Sequence, residues 1–378
     1  MKVLHTADWH VGRAIRGRSR DDEHRQVLAE IADIASAERV DLVLVAGDIF
    51  DTAAPSAVTE EIVYRALLNL AEVAPVVMVA GNHDSPARLR AVSPLLELGR
   101  ITVGAQVQRP GEGGTITLPK LPVRVALVPF IGKRGIIRVE EILSLDSQEL
   151  LGEYSDRVQR IVQALCAEMT PDTVNVLTGH LMVVGGHTGG GERIAHLFEY
   201  AISALAFPGH LSYVALGHLH RPQKVPAPAP LYYSGSPLQL DFGEEEDHKS
   251  VYLVEVEPGL PAVVEQRLLE SGRRLRTLRG SMAEIEALAA GAGDDYLRIE
   301  LIEKARVGLA EEVRDLLPGA VEIRLAPAGT GETAEIPRRL GRDPGELFRE
   351  YLTHREVDDP ALVSLFDELL AESHEVVP

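Results

Sequence analysis

The stretch DLVLVAGDIFD, residues 41–51, decides the fold. Its apolar run extends from Leu42 to Ala46 and stops at Gly47 and Asp48. A short apolar run that ends at a turn residue is typical of a strand buried inside a sheet. The polar residues that follow such a strand lie at its carboxyl end, where open α/β sheets bind their ligands. This stretch therefore predicts an α/β core with a functional edge.

The same pattern recurs along the first 240 residues. We predict strands at residues 3–7, 41–46, 75–80, 124–128, 173–177, 213–216 and 251–256, and helices at 21–39 and 59–72. Alternating strands and helices imply sheets whose faces are covered by helices. Short polar motifs occur at strand ends, and they are Asp8-Trp9-His10, Gly47-Asp48, Gly81-Asn82-His83-Asp84, Gly179-His180 and Gly217-His218-Leu219-His220. We expect these five motifs to converge on one point of the core.

The side chains in these motifs are oxygen and nitrogen donors without sulfur. This donor set suits Mn²⁺, Fe²⁺ or Zn²⁺ better than Ca²⁺ or Cu⁺. Seven ligands drawn from these motifs, namely two of the Asp, the Asn and four of the His, are too many for a single ion that keeps an open position. They suit two ions that share a bridging carboxylate, for which Asp48 is the natural candidate. Two ions about 4 Å apart can generate a hydroxide and stabilise a phosphoryl transition state.

Taken in order, the five motifs resemble those of the calcineurin-like metallophosphoesterases. Longer stretches narrow the resemblance to the SbcD-type DNA exonuclease subunits, bacterial relatives of the eukaryotic double-strand-break repair nuclease. These stretches are HTADWHVGR (5–13), DLVLVAGDIFD (41–51), VAGNHDSPARL (79–89), ALGHLHRPQ (215–223) and YYSGSPLQLDFGE (232–244). The resemblance implies a layered α/β sandwich, with mixed sheets flanked by helices, a small α+β cap domain and C-terminal helices.

The resemblance also implies roles for the site residues. One metal ion would be held by Asp8, His10, Asp48 and His220, and the other by Asp48, Asn82, His180 and His218. As catalytic residues, His83 would protonate the leaving oxygen and Asp84 would hydrogen-bond the His83 ring. Asp51 stands where archaeal relatives often carry a second histidine, so its role is open.

The family implies a nuclease subunit that processes DNA ends in repair, recombination and replication. Its expected activities are 3′-to-5′ exonuclease on duplex DNA and endonuclease on hairpins, with two divalent ions, preferably Mn²⁺. Its expected partners are an SbcC-type ATPase and a second copy of the chain. One alternative is a phosphatase or phosphodiesterase acting on a small phosphate ester. Another is a non-catalytic scaffold, which the filled ligand positions disfavour.

Changes in composition and in hydrophobic pattern along the chain predict four segments. Residues 1–270 form the nuclease domain, and 271–327 form a DNA-binding cap domain with the order β-α-β-α-β. Residues 328–343 are a linker rich in Gly, Pro and Thr. Residues 344–378 are a helical segment with apolar faces, which we expect to bind the ATPase.

Composition limits the remaining possibilities. The chain has 378 residues, of which 45% are hydrophobic, so it is not intrinsically disordered. A single cysteine, Cys166, excludes an internal disulfide and predicts a buried residue. Neither a secretory signal nor a run of about 18 apolar residues is present in the sequence. We therefore expect a cytoplasmic protein that does not span a membrane.

The net charge of −19 excludes a uniformly basic surface but allows a local basic groove. The acidic excess includes residues 244–247, and we expect these side chains to lie away from DNA. The candidate DNA contacts are Arg13, Arg16, Arg18 and Arg20, which directly follow the first motif. Alternatively, these arginines pair with nearby acidic residues such as Asp21, Asp22 and Glu23.

Overall fold

The computed structural model describes residues 1–132, 135–136, 139, 143, 154–189, 200–289, 291–326, 348–349, 351–353, 360 and 362–366. The chain divides into two compact units, Met1–Ala328 and Gly329–Pro378. In the part of the chain that is described, no helix has the length and apolarity needed to cross a membrane.

Seventeen strands and six α-helices have both of their ends within the described residues. The strands are β1 (Lys2–Thr6), β2 (Leu42–Ala46), β3 (Val76–Val79), β4 (Ile101–Gly104), β5 (Thr115–Thr117), β6 (Val123–Val128), β7 (Val174–His180), β8 (Met182–Val183), β9 (Ala201–Ile202), β10 (Tyr213–Gly217), β11 (Gln223–Val225), β12 (Leu231–Tyr233), β13 (Ser250–Glu255), β14 (Val263–Leu268), β15 (Leu275–Gly280), β16 (Tyr296–Leu301) and β17 (Ala320–Leu325). The helices are α1 (Asp21–Ala37), α2 (Ala57–Val73), α3 (Pro86–Leu98), α4 (Tyr154–Cys166), α5 (Met282–Ala289) and α6 (Leu309–Leu316).

Two six-stranded mixed sheets make up most of the first unit. The first has the order β14-β13-β1-β2-β3-β4, and the second has the order β11-β12-β10-β7-β6-β5. The strands from β1 to β4 are parallel, and β13 runs antiparallel to β1. In the second sheet the inner strands β12, β10, β7 and β6 are parallel, whereas β11 and β5 are antiparallel to their neighbours.

Strand β2 shows how the sequence builds the layers. All five of its residues are buried. Leu42 and Leu44 face Val125 and other residues of the second sheet, in a core between the two sheets. Val43 and Val45 point the other way and pack in the core formed with α1 and α2. Alternating side chains of one strand therefore serve two cores, which explains its uninterrupted apolar run.

Helix α4 covers the outer face of the second sheet. Cys166 is fully buried there, as the sequence predicted, and packs in the same core as Val158 and Leu165. The layers are helices, sheet, sheet and helix. The predicted fold class, an α/β sandwich of mixed sheets flanked by helices, is confirmed.

The segment from β15 to β17 has the predicted order β-α-β-α-β. Its three strands are parallel and lie in the order β15-β16-β17. A separate core of residues such as Ile285, Ile299 and Val313 holds this segment together. The domain boundaries at residues 270 and 327 stay predictions.

In the second unit few residues are described. The rings of Phe348 and Phe366 stack there, with their centroids 4.0 Å apart. The predicted linker at 328–343 lies outside the described residues, and so does most of the predicted helical segment at 344–378.

Candidate metal centre

The carboxyl ends of five strands bring the predicted motifs to one edge of the sandwich. Loops from β1 and β2 lie side by side, because the backbone N–H groups of Asp8 and His10 donate to the carbonyls of Gly47 and Asp48 at 2.9 and 3.0 Å. The second sheet joins them where the backbone N–H of His218 donates to the Asp8 carboxylate at 2.9 Å. The predicted convergence of the motifs therefore occurs.

Several of the predicted ligands have a strained backbone. Asp8, His10, Asp48 and His218 have φ angles of 52°, 44°, 49° and 107°. Positive φ is uncommon for residues other than glycine and costs about 1–3 kcal/mol at each position. Strain of this kind persists where the surrounding structure holds it, and it concentrates at functional sites.

One half of the centre brings three donor atoms together. Oδ1 of Asn82 lies 2.9 Å from Nε2 of His180 and 3.0 Å from Nδ1 of His218, and these two nitrogens are 3.2 Å apart. The His180 ring donates its Nδ1 proton to the carbonyl of Ala46 at 2.9 Å, so in the neutral ring Nε2 presents a lone pair to the cluster. An amide oxygen and a nitrogen lone pair repel each other at this distance unless a proton or a cation lies between them.

The other half of the centre contains Asp8, His10 and His220, whose ligand atoms lie within 4.8 Å of one another. Nδ1 of His10 donates to the carboxylate of Asp51 at 3.2 Å. Nε2 of His10 is then the lone-pair nitrogen, and it is buried without a hydrogen-bond partner. A buried unpaired nitrogen is costly in a protein interior, unless it binds an ion.

Asp48 lies between the two halves. Its Oδ2 atom is 3.5 Å from Nε2 of His10 and 3.4 Å from Nε2 of His180. Its Oδ1 atom accepts the backbone N–H of His83 at 2.8 Å. One carboxylate oxygen thus faces both predicted ligand sets, in the place that the sequence assigned to a bridging residue.

Burial and mutual charge displace the pKa values in the cluster. Burial raises the pKa of Asp8 to about 7. Burial alone would favour a neutral His180 ring, but Asp48 and Asp8 raise the pKa of that ring to about 9. Burial lowers the pKa of His218 to about 3, with a further contribution from the charge of His180. Within this cluster positive charge is therefore favoured on the His180 ring, beside Asp48 and Asp8, and disfavoured on the His218 ring.

These residues fit divalent cations. Bonds of about 2.1 Å from an ion to its ligands place neighbouring ligand atoms roughly 3.0–3.4 Å apart in octahedral or tetrahedral shells. The separations among Asn82, His180, His218 and Asp48 run from 2.9 to 3.4 Å. Carboxylate, amide and imidazole donors suit Mn²⁺, Fe²⁺ and Zn²⁺.

Sequence comparison gives the family of the chain. A model of the calcineurin-like phosphoesterases matches residues 1–222, which is more than half of the chain. A second model, SbcD_C, described as the type 5 capsule protein repressor C-terminal domain, matches residues 271–356. The SbcD subunit of the SbcCD nuclease of Bacillus subtilis strain 168 is 33% identical to the chain, over 98% of this chain and 97% of its own length. The chain belongs to the calcineurin-like phosphoesterases, in the family of the SbcD nuclease subunits.

Other members of this family match as well. The SbcD protein of the Escherichia coli strain K12 SbcCD nuclease is 31% identical over 76% of this chain and 73% of its own length. That of Rhodobacter capsulatus is 33% identical over 68% of this chain and 67% of its own length. The predicted family and the predicted class of enzyme, a metal-dependent phosphoesterase, are confirmed.

Among the catalytic candidates of this phosphoesterase, His83 is half-buried beside the centre. Its ring centroid is 4.8 Å from that of His10. The Nδ1 atom of His83 contacts the backbone carbonyl of Asp51 at 2.8 Å, not Asp84. The prediction that Asp84 hydrogen-bonds the His83 ring is therefore wrong, because the partner of this ring is the carbonyl of Asp51.

The carboxylate of Asp84 has a structural task. It accepts the backbone N–H groups of Ile49, Phe50 and Gly81, at distances of 2.8 to 3.3 Å. These bonds join the loop after β2 to the loop after β3. Asp84 thus holds together the two loops that carry Asp48 and His83.

Two further acidic residues bear on the site: Asp51, whose role the sequence left open, and Glu244, which sequence reasoning missed. Asp51 contacts His10 through its carboxylate and His83 through its carbonyl. Glu244 is fully buried, and its Oε1 atom accepts from Nδ1 of His220 at 3.0 Å. Burial opposes its ionisation, but Lys249 and His220 lower the pKa of Glu244 to about 2. Glu244 ends the stretch YYSGSPLQLDFGE, but its contact with His220 was not predicted from the sequence.

The four arginines after the first motif lie in different environments. Arg20 is 2% exposed and pairs with Glu23 at 2.7 Å, so the prediction that it contacts DNA is wrong. Arg16 and Arg18 are exposed and contact Glu322 and the carbonyl of Pro318, both at 2.9 Å. Arg13 is partly exposed and lies 3.4 Å from Asp51, at the rim of the centre. For these three the prediction of DNA contact stays open.

Proposed function

We propose that the chain is a two-metal DNA nuclease subunit, a 3′-to-5′ exonuclease on duplex ends and an endonuclease on hairpins. The position of Asp48 carries the proposal, because one carboxylate oxygen faces a histidine nitrogen of each ligand set at 3.4 and 3.5 Å. The names of the relatives, which describe parts of the SbcCD nuclease, support DNA as the substrate. Processing of DNA ends in repair, recombination and replication is the corresponding role.

In this proposal the seven polar side chains hold two ions. The first set is Asp8, His10, Asp48 and His220, and the second is Asp48, Asn82, His180 and His218. We propose Mn²⁺ as the preferred ion, which suits a mixed oxygen and nitrogen donor set. Two such ions supply an activated water nucleophile and the positive charge that a phosphoryl transition state requires.

The chain itself supplies the proton for the leaving group. Nδ1 of His83 donates to the carbonyl of Asp51, so Nε2 is the nitrogen that exchanges a proton with the substrate. When protonated, Nε2 can donate to the departing 3′ oxygen as a general acid. Asp84 acts indirectly, by fixing the loops on which Asp48 and His83 stand.

DNA binding by an acidic chain requires local positive charge. We assign this task to Arg13, Arg16 and Arg18, which are exposed or partly exposed after the first motif. We also propose the division into a nuclease domain (1–270), a cap (271–327), a linker (328–343) and a helical segment (344–378). The match of the second family model at residues 271–356 supports a boundary near 270.

We propose an SbcC-type ATPase and a second copy of the chain as protein partners, and the cytoplasm as the location, where DNA ends are processed. The names of the relatives support the ATPase, since they describe one component of an SbcCD nuclease. The helical segment is the proposed ATPase contact. Deleting the residues after 335 abolishes co-purification with the ATPase if this is right, and unchanged co-purification contradicts it.

The substrate is tested with wild type and His83→Ala in Mn²⁺, each with and without the ATPase. The substrates are an end-labelled duplex, a hairpin and a small chromogenic phosphodiester. Cleavage of both DNAs by wild type, with loss of cleavage in His83→Ala at unchanged metal content, is the expected result. Hydrolysis of only the small ester, even with the ATPase present, would indicate a phosphodiesterase of small molecules.

A further inference from the structure

Glu244 is a buried carboxylate whose two oxygens serve different partners. Oε1 accepts from Nδ1 of His220 at 3.0 Å. Oε2 accepts from Nζ of Lys249 at 2.7 Å and from the backbone N–H of Leu240 at 3.0 Å. The side chain is fully buried, so these three donors hold it in one orientation.

Lys249 ties this group to the backbone of the predicted ligand. Its Nζ atom also donates to the carbonyl oxygen of His220 at 3.0 Å and lies 2.9 Å from Oγ of Ser236. His220 is therefore held at its ring by Glu244 and at its main chain by Lys249. Both contacts come from the segment between β12 and the start of β13.

A carboxylate that accepts from Nδ1 determines the tautomer of a histidine. The proton of the neutral His220 ring must lie on Nδ1, because an ionised carboxylate has no proton to donate. The lone pair then lies on Nε2, the nitrogen that binds an ion in this tautomer. A ligand atom of His220 lies within 4.8 Å of ligand atoms of Asp8 and His10.

We propose that Glu244 is a positioning residue that fixes the tautomer and orientation of His220 for metal binding. The inference rests on the proposed role of His220 as a metal ligand and deepens it. Glu244 touches neither the ions nor the substrate in this account.

The variant Glu244→Gln tests the inference sharply, because a glutamine has one oxygen and one NH₂ group. Among the described residues, the donors of Lys249 and Leu240 contact Oε2, and the donor that contacts Oε1 is Nδ1 of His220. The oxygen of the glutamine is therefore expected at Oε2, which turns the NH₂ group toward Nδ1 of His220. Nδ1 must then accept, and the ring proton moves to Nε2, where it blocks metal binding.

The first readout is the tautomer of His220 in the metal-free full-length protein, measured from its ring ¹⁵N chemical shifts. Comparison with His220→Gln assigns the signals. We expect an Nδ1–H ring in wild type and an Nε2–H ring in Glu244→Gln. The second readout is Mn²⁺ affinity by calorimetry, with one of the two sites weakened about 10- to 100-fold in Glu244→Gln.

Two further variants complete the design. Glu246→Gln makes the same charge change at an exposed side chain two positions away, and it should keep wild-type tautomer and affinity. Glu244→Gln combined with Lys249→Met removes the strongest competitor for the glutamine oxygen. The oxygen can then accept from Nδ1 of His220, so this double variant should recover part of the affinity.

The outcomes separate this inference from the proposed function. If His220→Gln still binds two Mn²⁺ as wild type does, the proposed ligand role of His220 is wrong. If His220→Gln loses one ion while folded Glu244→Gln keeps the wild-type tautomer and affinity, the positioning role of Glu244 is wrong.

Discussion

The Nδ1 atom of His83 lies 2.8 Å from the backbone carbonyl oxygen of Asp51. A carbonyl oxygen only accepts, so this contact places a proton on Nδ1 and leaves Nε2 for the substrate. The backbone N–H of His83 also donates to Oδ1 of Asp48 at 2.8 Å. The proposed general acid is thus oriented by the loops after β2 and β3, two of the five loops that form the metal centre.

Replacing His83 by glutamine should separate proton transfer from metal binding. His83→Gln keeps the backbone contact to Asp48 but removes the titratable ring. We expect the rate of DNA cleavage to fall by about 100- to 10,000-fold, the usual contribution of a general acid. Single-turnover cleavage and elemental analysis of the same sample measure the two effects. Loss of the metal, or cleavage at the wild-type rate, would contradict the assigned role.

Gly81 provides a test of the space around Asp48. A Cβ atom at position 81 would lie 2.1 Å from Oδ1 of Asp48, whereas one at Gly111 would meet nothing within 4 Å. We expect Gly81→Ala to displace Asp48, to reduce the bound metal and to lower the free energy of unfolding by about 1–3 kcal/mol. Gly111→Ala is the matched control and should leave the metal content unchanged. Urea unfolding and elemental analysis measure both quantities, and equal behaviour of the two variants would refute the argument.

Arg13 and Arg20 should respond differently to the same substitution. Arg20 is buried and paired with Glu23, so Arg20→Gln leaves a buried carboxylate without its cation and costs about 3 kcal/mol of unfolding free energy. Arg13→Gln should change that free energy by less than about 0.5 kcal/mol. It should instead weaken DNA binding and reduce the slope of log affinity against log salt by about one. An unchanged salt slope in Arg13→Gln would remove Arg13 from the proposed DNA contacts.

His5, which lies outside the proposed metal centre, should make the free energy of unfolding depend on pH. Burial lowers the pKa of His5 from 6.5 to about 3, while its nitrogens contact the Tyr213 hydroxyl and the Leu216 carbonyl. The unfolded chain binds a proton at His5 below about pH 6.5, but the folded chain does not until the pH falls much lower. Folding therefore loses stability as the pH falls through this window, by ~2 kcal/mol from this group between about pH 8 and pH 5.

The matched variant for this prediction is His5→Gln, which cannot titrate in that range. Its unfolding free energy should decline less than that of wild type between about pH 8 and pH 5, by the same ~2 kcal/mol. Urea unfolding at each pH measures the difference. Parallel pH profiles for the two proteins would show that His5 does not remain neutral in the folded state.

The sequence predicted the sandwich and the place of the site because both rest on local patterns. The apolar run at residues 42–46 is enough to identify a buried strand. The polar residues that follow a strand of this kind must lie at its carboxyl end. The cap order β-α-β-α-β was likewise readable from local periodicity. By contrast, short strands such as β8 and β9, with two residues each, carry too little pattern to be recognised.

The partners of the site residues were not predictable, because they depend on contacts between distant parts of the chain. Glu244 and Arg20 look like surface charges in the sequence, yet both are buried in ion pairs. Asp84 follows His83 directly, and this proximity suggested that the two side chains hydrogen-bond. In the structure the His83 ring contacts the carbonyl of Asp51 instead. The candidate metal ligands can be recognised in the sequence because they follow predicted strands. The hydrogen bonds that orient these ligands depend on tertiary packing and cannot be recognised in this way.

In the proposed metal centre the chain binds two ions that share Asp48. The most direct measurement is the number of Mn²⁺ ions bound per chain at saturation, in wild type and in Asp48→Asn, with circular dichroism to show that both are folded. We expect two ions in wild type, and weaker binding of both ions in Asp48→Asn, since Oδ2 of Asp48 faces both His10 and His180. One ion in wild type, or the loss of only one ion in Asp48→Asn, would contradict this expectation.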